Sequence, residues 1–217
     1  MLDKWTIQWI QPPLRIVAQR LAKTRLSPDL ATVIGFCIGM GAVPALLYRL
    51  YWVALVCILL NRIIDGLDGI LARMGNPTDA GGFLDIALDF IFYASVVWGF
   101  ALADPAQNAL PSATLLLSFF GTGGSFLAFA AMAAKRNIKS IDFPQKSLYY
   151  LGGITEGTET ILFFVVICLL PSHFPILAYG FAALCWTTAV TRITGGYRTL
   201  KKSASRHAYA AGKKAES

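Results

Sequence analysis

Charge is what this sequence has least of. Asp, Glu, Lys and Arg together make up 14% of its 217 residues, whereas 56% are hydrophobic; an ordinary soluble domain carries about 25% charged residues. That shortage, with a mean hydropathy of +0.58, excludes a standard soluble domain and points to a polytopic membrane protein. Cysteine is equally sparse. Cys37, Cys57, Cys168 and Cys185 fall singly inside apolar runs, with no Cys-x-x-Cys spacing, so they read as small packed hydrophobes rather than metal ligands or a disulfide framework. The charged, amphipathic first residues lead into no short apolar core with a small-residue cleavage site. No secretory leader is therefore expected, and the mature chain is expected to begin at Met1. The sequence also lacks an internal repeat and a separate soluble domain.

A spanning helix needs about 20 mostly apolar residues. Six segments qualify: 30–48, 51–73, 83–103, 109–134, 148–170 and 174–199. Short connections, with Asp104-Pro105 and Pro171-Ser172 as breakers, predict antiparallel hairpins. The fold expected is all-α, in three parts: an amphipathic interfacial segment over 1–26, a six-helix transmembrane catalytic domain over 27–202, and a basic, disordered tail over 203–217.

The 19 basic residues exceed the 12 acidic ones, for a net charge of +7. They flank apolar runs, as topological and headgroup anchors do, so nucleic-acid binding is not expected. One set of span ends carries Lys4, Arg15, Arg20, Lys23, Arg25, Arg73, Lys135, Arg136, Lys139, Lys146, Arg198, Lys201 and Lys202, whereas the opposite set has Arg49 alone. Both termini are therefore expected on the cytoplasmic side. Before the first span, Trp5, Ile7, Trp9, Leu14, Ile16 and Val17 alternate with Arg15, Arg20 and Lys23, which suits a helix lying in the interface with Pro12 and Pro13 breaking its start. Ser27-Pro28 reads as an N-cap followed by proline at the first helical position.

Against this background one stretch is anomalous. DGLDGILARMGNPTDAGGFLDIALDF holds Asp65, Asp68, Asp79, Asp85 and Asp89, five of the twelve acidic residues. Asp65 and Asp68 are three apart on one predicted helix, and Asp85 and Asp89 four apart on the next, so each pair shares a face. The turn-forming residues 74–82 between them let two antiparallel helices bring all four together; Asp79, in the turn, is expected to be merely solvated. Bare carboxylates at the bilayer centre cost on the order of 2.5 to 3.5 kcal/mol each and repel one another. A divalent cation offsets this best. Oxygen-only ligands select Mg²⁺, Mn²⁺ or Ca²⁺, and the lack of nearby histidine or cysteine argues against zinc. The bland alternative is a set of helix-end aspartates solvated at the interface or paired with Arg62 and Arg73.

Gly66 and Gly69 weaken a helix by about 1 kcal/mol each relative to alanine, so their place beside the aspartates suggests close approach of a ligand or of another backbone. Gly81 and Gly82 could leave backbone N–H groups open to an anion, and Arg73 supplies a fork suited to phosphate. Metal carboxylates, glycine clearings and an arginine together fit a pyrophosphate-bearing substrate.

Asp65-x-x-Asp68-Gly69-x-x-Ala72-Arg73, then Gly81-x-x-x-Asp85-x-x-x-Asp89, resembles the signature of the CDP-alcohol phosphotransferases. The six-span plan and amphipathic N-terminal helix resemble the family as well. The family usually has eight residues between the arginine and the glycine; here there are seven, residues 74–80, if Gly81 is that glycine. Gly82 restores eight but leaves two residues before Asp85, so the shorter turn is the preferred reading. The resemblance implies a membrane enzyme that moves a phosphoalcohol group from a CDP-alcohol to a second alcohol and releases CMP. It implies Mg²⁺ (or Mn²⁺) on Asp65, Asp68 and Asp85, with Asp89 both near the metal and the base that deprotonates the acceptor. It further implies a CDP site lined by Gly69, Ala72, Arg73 and Gly81, and a homodimer.

The membrane setting favours CDP-diacylglycerol as donor, with acyl chains in the bilayer, and a polyol or polyol-phosphate acceptor. Candidate acceptor contacts are Lys135 and Arg136, with Lys139 and Lys146, at the junction of the fourth and fifth spans, and Arg192 inside an apolar run of the sixth. Glu156 and Glu159 are face-sharing acids in the fifth segment; ion pairing with Arg192 and contact with polyol hydroxyls both fit them. Gly35 and Gly39 form Gly-x-x-x-Gly, a packing face or weak dimer signal. A carboxylate-based cation or metal transporter is the competing class; it predicts acids spread through the membrane depth rather than gathered at one end.

Overall fold

The computed structural model describes residues 14–20, 27–75, 77–136 and 153–215, with side chains described as far as residue 201. Trp5, Trp9, Pro12, Pro13, Lys23, Arg25, Lys139 and Lys146, and the start of the fifth expected span, lie outside the described residues. What is described is helical, with no strand among the described residues. A short helix α1 occupies residues 14–20, followed by α2 (Pro28–Met40), α3 (Ala42–Leu47), α4 (Tyr51–Met74), α5 (Asp79–Ala103), α6 (Pro105–Lys135), α7 (Gly157–Leu169) and α8 (Phe174–Ala215).

The helix ends follow from local chemistry. Ser27 Oγ accepts from Leu30 N at 3.2 Å, with Pro28 opening α2. The first expected span divides into α2 and α3 at Gly41, and Pro44 explains this: without an N–H it cannot donate back to the preceding turn. Arg49 then turns the chain with φ 58°, the left-handed region that non-glycine residues seldom adopt. Its guanidinium Nε donates to the Ala103 carbonyl at 3.0 Å, and it pairs with Asp104 at 3.6 Å, joining the α3–α4 turn to the α5–α6 turn. Thr78 Oγ1 and Asp104 Oδ1 cap α5 and α6 by accepting from Gly81 N and Gln107 N.

α2, α3, α4 and α5 pack as one group, α6 lies along α5 and α8, and α7 rests on α4. The Gly35–Gly39 stripe is spent inside the chain: a Cβ at Gly35 would meet Ile64 at 2.9 Å, and one at Gly39 would meet Phe92 at 2.8 Å. Small residues let helix backbones approach where no hydrophobic driving force separates helix from lipid. Aromatic rings fill the centre, with Phe163 stacked on Phe181 at 4.3 Å and Phe100 on Phe174 at 4.7 Å. Outward-facing Trp52, Phe83 and Phe120 are 72%, 75% and 79% exposed, a pattern suited to lipid rather than water.

Among the described residues, four helical stretches are long and apolar enough to cross a membrane: Pro28–Leu47, Asp79–Ala103, Pro105–Lys135 and Pro171–Lys201. The other two expected spans differ for identifiable reasons. α4 has 24 residues but carries Arg62, Asp65, Asp68 and Arg73, and α7 is a shorter apolar helix of 13 residues. α7 starts at Gly157, so Glu156 and Glu159 stand at its beginning and not within a long fifth helix. α8 runs on to Ala215, through the stretch expected to be disordered; Ala204, Ala208, Ala210, Ala211 and Ala215 give it high helix propensity.

Candidate active site

Asp65 and Asp68 lie on α4, and Asp85 and Asp89 on α5. Only residues 75–78 separate the two helices, so the antiparallel pair brings all four carboxylates to one cleft, closed on the α2 side by Thr32, Gly35 and Phe36. Asp65, Asp68 and Asp85 each offer an oxygen within 4.8 Å of the others. Asp68 is 5% exposed, and its Oδ2 is buried with no hydrogen-bond partner. An orphaned buried carboxylate oxygen is costly, and here it belongs to an all-oxygen trio of the kind a hard divalent ion takes. The residues therefore fit the expected metal.

Asp89 lines the same cleft but has a different partner. Arg62, one turn before Asp65, donates from Nη2 to Asp89 Oδ1 at 2.5 Å and from Nη1 to Asp65 Oδ2 at 3.3 Å. Tyr93 Oη is 3.5 Å from Asp89 Oδ2 and accepts from Arg62 Nη1 at 3.0 Å. The sequence offered Arg62 only as a generic counter-ion. Its specific signal was a cation inside an apolar run at helical spacing from Asp65.

The glycines separate by what surrounds them. A Cβ on Gly81 would meet Asp29 Oδ1 at 2.8 Å and Thr78 Oγ1 at 3.2 Å, whereas one on Gly82 would meet nothing within 4 Å. The position that needs a glycine is thus Gly81. The N–H groups of Gly81 and Gly82 are already taken, by Thr78 Oγ1 at 3.0 Å and the Thr78 carbonyl at 3.1 Å; they are part of the α5 cap rather than an open anion nest. Gly66 leaves room for Leu14 of α1, which approaches its missing Cβ to 2.9 Å. Leu14 and Ala18 seat α1 on Leu67, Ile70 and Leu71.

Arg73 is exposed at the end of α4, beyond half-buried Ala72, with its guanidinium 3.5 Å from where a Gly69 Cβ would stand. On its other side is a cleft of about 240 Å³, walled by Arg15 and Gln19 of α1 and by Ile70 and Met74.

The candidate acceptor residues do not gather at one point. Lys135 and Arg136 are exposed where α6 ends, and Arg136 Nη1 donates to the Leu200 carbonyl of α8 at 2.6 Å. Glu156 and Glu159 form a capping box on α7: Glu156 Oε1 accepts from Gly153 N at 2.9 Å and Glu159 Oε2 from Glu156 N at 3.1 Å. Capping is a third use for these acids, which the sequence reading did not weigh. Arg192 is 8% exposed, donates to the Thr122 carbonyl at 3.3 Å and stands over Phe126 at 5.7 Å. One turn earlier, Thr188 Oγ1 accepts from Ile154 N, Thr155 N and Thr155 Oγ1 at 3.2, 3.1 and 2.9 Å, fixing the segment before α7.

Comparison with known proteins bears on the family and the fold. The chain is 56% identical over 201 residues to inner membrane protein YnjF of Escherichia coli (strain K12), covering 93% of this chain and 98% of that one. It is 28% identical over 185 residues to archaetidylinositol phosphate synthase of Pyrococcus horikoshii, covering 85% and 90%. The fold is similar to that of phosphatidylinositol phosphate synthase (PgsA1) of Mycobacterium tuberculosis. The crystal structure with CDP-DAG bound gives a TM-score of 0.62 at 18% identity over 85% of this chain and 93% of that one. The manganese and citrate complex gives 0.64 at 19% identity over 85% and 88%. A family model described as CDP-alcohol phosphatidyltransferase matches residues 25–193, a span that contains both aspartate pairs, Arg73 and Gly81; the chain belongs to the CDP-alcohol phosphatidyltransferase family.

Proposed function

We propose that this phospholipid-synthesising membrane transferase takes CDP-diacylglycerol as donor and a polyol or polyol phosphate as acceptor, with its aspartate cleft at the cytoplasmic face. The observation that carries the reading is the trio of Asp65, Asp68 and Asp85, each with an oxygen within 4.8 Å of the others, in which Asp68 also keeps a buried oxygen without a hydrogen-bond partner. Asp65, Asp68 and Asp85 hold Mg²⁺ or Mn²⁺. When bound there, the ion supplies charge neutralisation for the diphosphate and for the departing CMP.

The chain's own groups do the rest. Asp89 accepts the proton of the attacking hydroxyl. The acceptor oxygen bonds to the phosphorus that bears the donor's alcohol, and the bond from that phosphorus to the bridging oxygen breaks, its electron pair leaving with CMP. Arg73 gives the diphosphate a planar donor fork, and Gly69, Ala72 and Gly81 keep the nucleotide's path clear. Arg192, the one acceptor candidate among the described residues that is buried, receives an anionic acceptor group.

α4 and α7 complete six crossings in this reading, α4 with Arg62, Asp65 and Asp68 turned into the cleft and α7 as the end of a longer segment. α1 lies at the interface, with Ile16 and Val17 exposed to the acyl chains and Arg15 and Arg20 to headgroups. A homodimer uses a face other than Gly35 and Gly39, which are buried within the chain.

The test is CMP release by the purified protein with CDP-diacylglycerol, Mg²⁺ and a panel of free and phosphorylated polyols. Release with at least one acceptor, abolished by EDTA and restored by Mg²⁺ or Mn²⁺, is expected; no release with any pair overturns the reading. Asp89→Asn is expected to retain metal and CDP binding while turnover falls about 10²- to 10⁴-fold. A fully active variant removes the base assignment.

A further inference from the structure

The backbone amides of residues 153–156 all donate to side-chain oxygens. Gly153 N donates to Glu156 Oε1 and Glu156 N to Glu159 Oε2, bonds that stay local and cap α7. The two amides between them, Ile154 N and Thr155 N, converge with the Thr155 hydroxyl on a single oxygen, Thr188 Oγ1 of α8. Thr188 is 0% and Thr155 7% exposed, so water does not compete for this tie. α7 rests on α4; its leading segment is held to α8 through Thr188.

Arg192 follows Thr188 by one helical turn and shares its face. Gly153 lies against both. A Cβ there would collide with the Thr188 methyl and would stand 3.1 Å from Arg192 Nη2 and 3.3 Å from its Cζ. That methyl belongs to a buried β-branched side chain with little freedom at χ1, so it does not yield cheaply. The other terminal nitrogen of Arg192, Nη1, donates to the Thr122 carbonyl of α6, and the guanidinium stands over Phe126. Arg192 thus has α6 at one nitrogen and the Gly153 backbone beside the other, and the place of Gly153 is set by Thr188. We propose that Thr188 is a positioning residue for the acceptor: it holds the segment 153–155 on α8 so that the planar fork of Arg192 meets the phosphate of a phosphorylated polyol in one orientation. This rests on the assignment of Arg192 made above. It adds the chemical class of the group received and a buried residue, out of reach of substrate, that governs its affinity.

The probes are glycerol 3-phosphate and inositol 1-phosphate, titrated calorimetrically into the purified protein in lipid nanodiscs with Mg²⁺ and no donor, so that no turnover occurs. The wild type is expected to bind at least one of them, and Arg192→Gln to bind it more weakly. Thr188→Val, once shown folded by its helical circular dichroism, keeps the side chain's shape and removes its oxygen. It is expected to weaken the same ligand about 10- to 100-fold, the worth of one hydrogen bond to a charged group, with CDP affinity unchanged, while Thr188→Ser binds as the wild type does. In an Arg192→Gln background Thr188→Val is expected to add nothing. Unchanged binding by Thr188→Val, an equal loss in Thr188→Ser, a full further loss in the Arg192→Gln background, or no binding of either phosphate by the wild type overturns the inference. Should Thr188→Val not fold, Gly153→Ala decides: its methyl is expected to weaken the ligand, and adding Thr188→Ser, which removes the colliding methyl, to restore most of the loss; no restoration overturns the inference. Unchanged binding by Arg192→Gln removes the assignment of Arg192 and this inference with it, whereas a loss in Arg192→Gln with none in Thr188→Val removes this inference alone. Phosphate binding that depends on Thr188 without CMP release supports the inference and removes the proposed reaction.

Discussion

At the scale of single residues, the site depends on what is left out as much as on its charges. Gly81 and Gly82 are adjacent and both lie in the first turn of α5, yet only one has a neighbour in the way. Gly82→Ala meets open space and gains about 0.5–1 kcal/mol of helix propensity; Gly81→Ala must push aside the exposed Asp29 carboxylate and crowd the capping Thr78 hydroxyl, which offsets that gain. Thermal unfolding in detergent should therefore show a higher melting temperature for Gly82→Ala than for Gly81→Ala, and the reverse order would contradict the geometry. The aspartates were legible because helical spacing alone put Asp65 with Asp68 and Asp85 with Asp89. Asp29 was not: it lies in α2, remote in sequence from Gly81, and only tertiary packing brings its carboxylate there. Arg62 was half legible. Its i, i+3 relation to Asp65 is local, whereas its bond to Asp89 spans 27 positions and needs the α4–α5 hairpin to form.

At the scale of elements, apolar runs located the helices, and capping chemistry decided where they begin. The α5 start moved from 83 to Asp79 because Thr78 caps it. The α7 start moved to Gly157 because Glu156 and Glu159 satisfy the free amides of its first turn. Glutamate is not among the preferred N-caps, so the sequence presented two acids in an apolar run, and their use as a cap emerged only from backbone geometry. Glu156→Ala is expected to cost about 0.5–2 kcal/mol of stability, with acceptor KM unchanged; Glu156→Gln retains an oxygen acceptor and should lose less. A changed acceptor KM for a stably folded Glu156→Gln would return this residue to the substrate pocket. If α4 is one of the proposed six crossings, it shows how hydropathy alone can undercount them. Asn61, Arg62, Asp65 and Asp68 line the cleft, so charges that lower its apolar score are what its neighbours are built to receive.

At the scale of the molecule, the six crossings proposed above make a testable claim about sidedness. A reporter active only in the cytoplasm should be active when fused to either terminus and inactive when inserted at the Arg49 turn or at Asp104. Activity at both inserted sites would break the orientation drawn from lysine and arginine placement. α5 packs on α2, α3 and α6, so it is shared by two groups of helices. The first group holds the aspartates and Arg73; the second, through α6 and α8, holds Arg192. On the proposed function this is a modular enzyme. Substitutions along the α6–α8 seam can exchange one acceptor for another over evolutionary time while the nucleotide half stays untouched, which gives one scaffold a repertoire of headgroups.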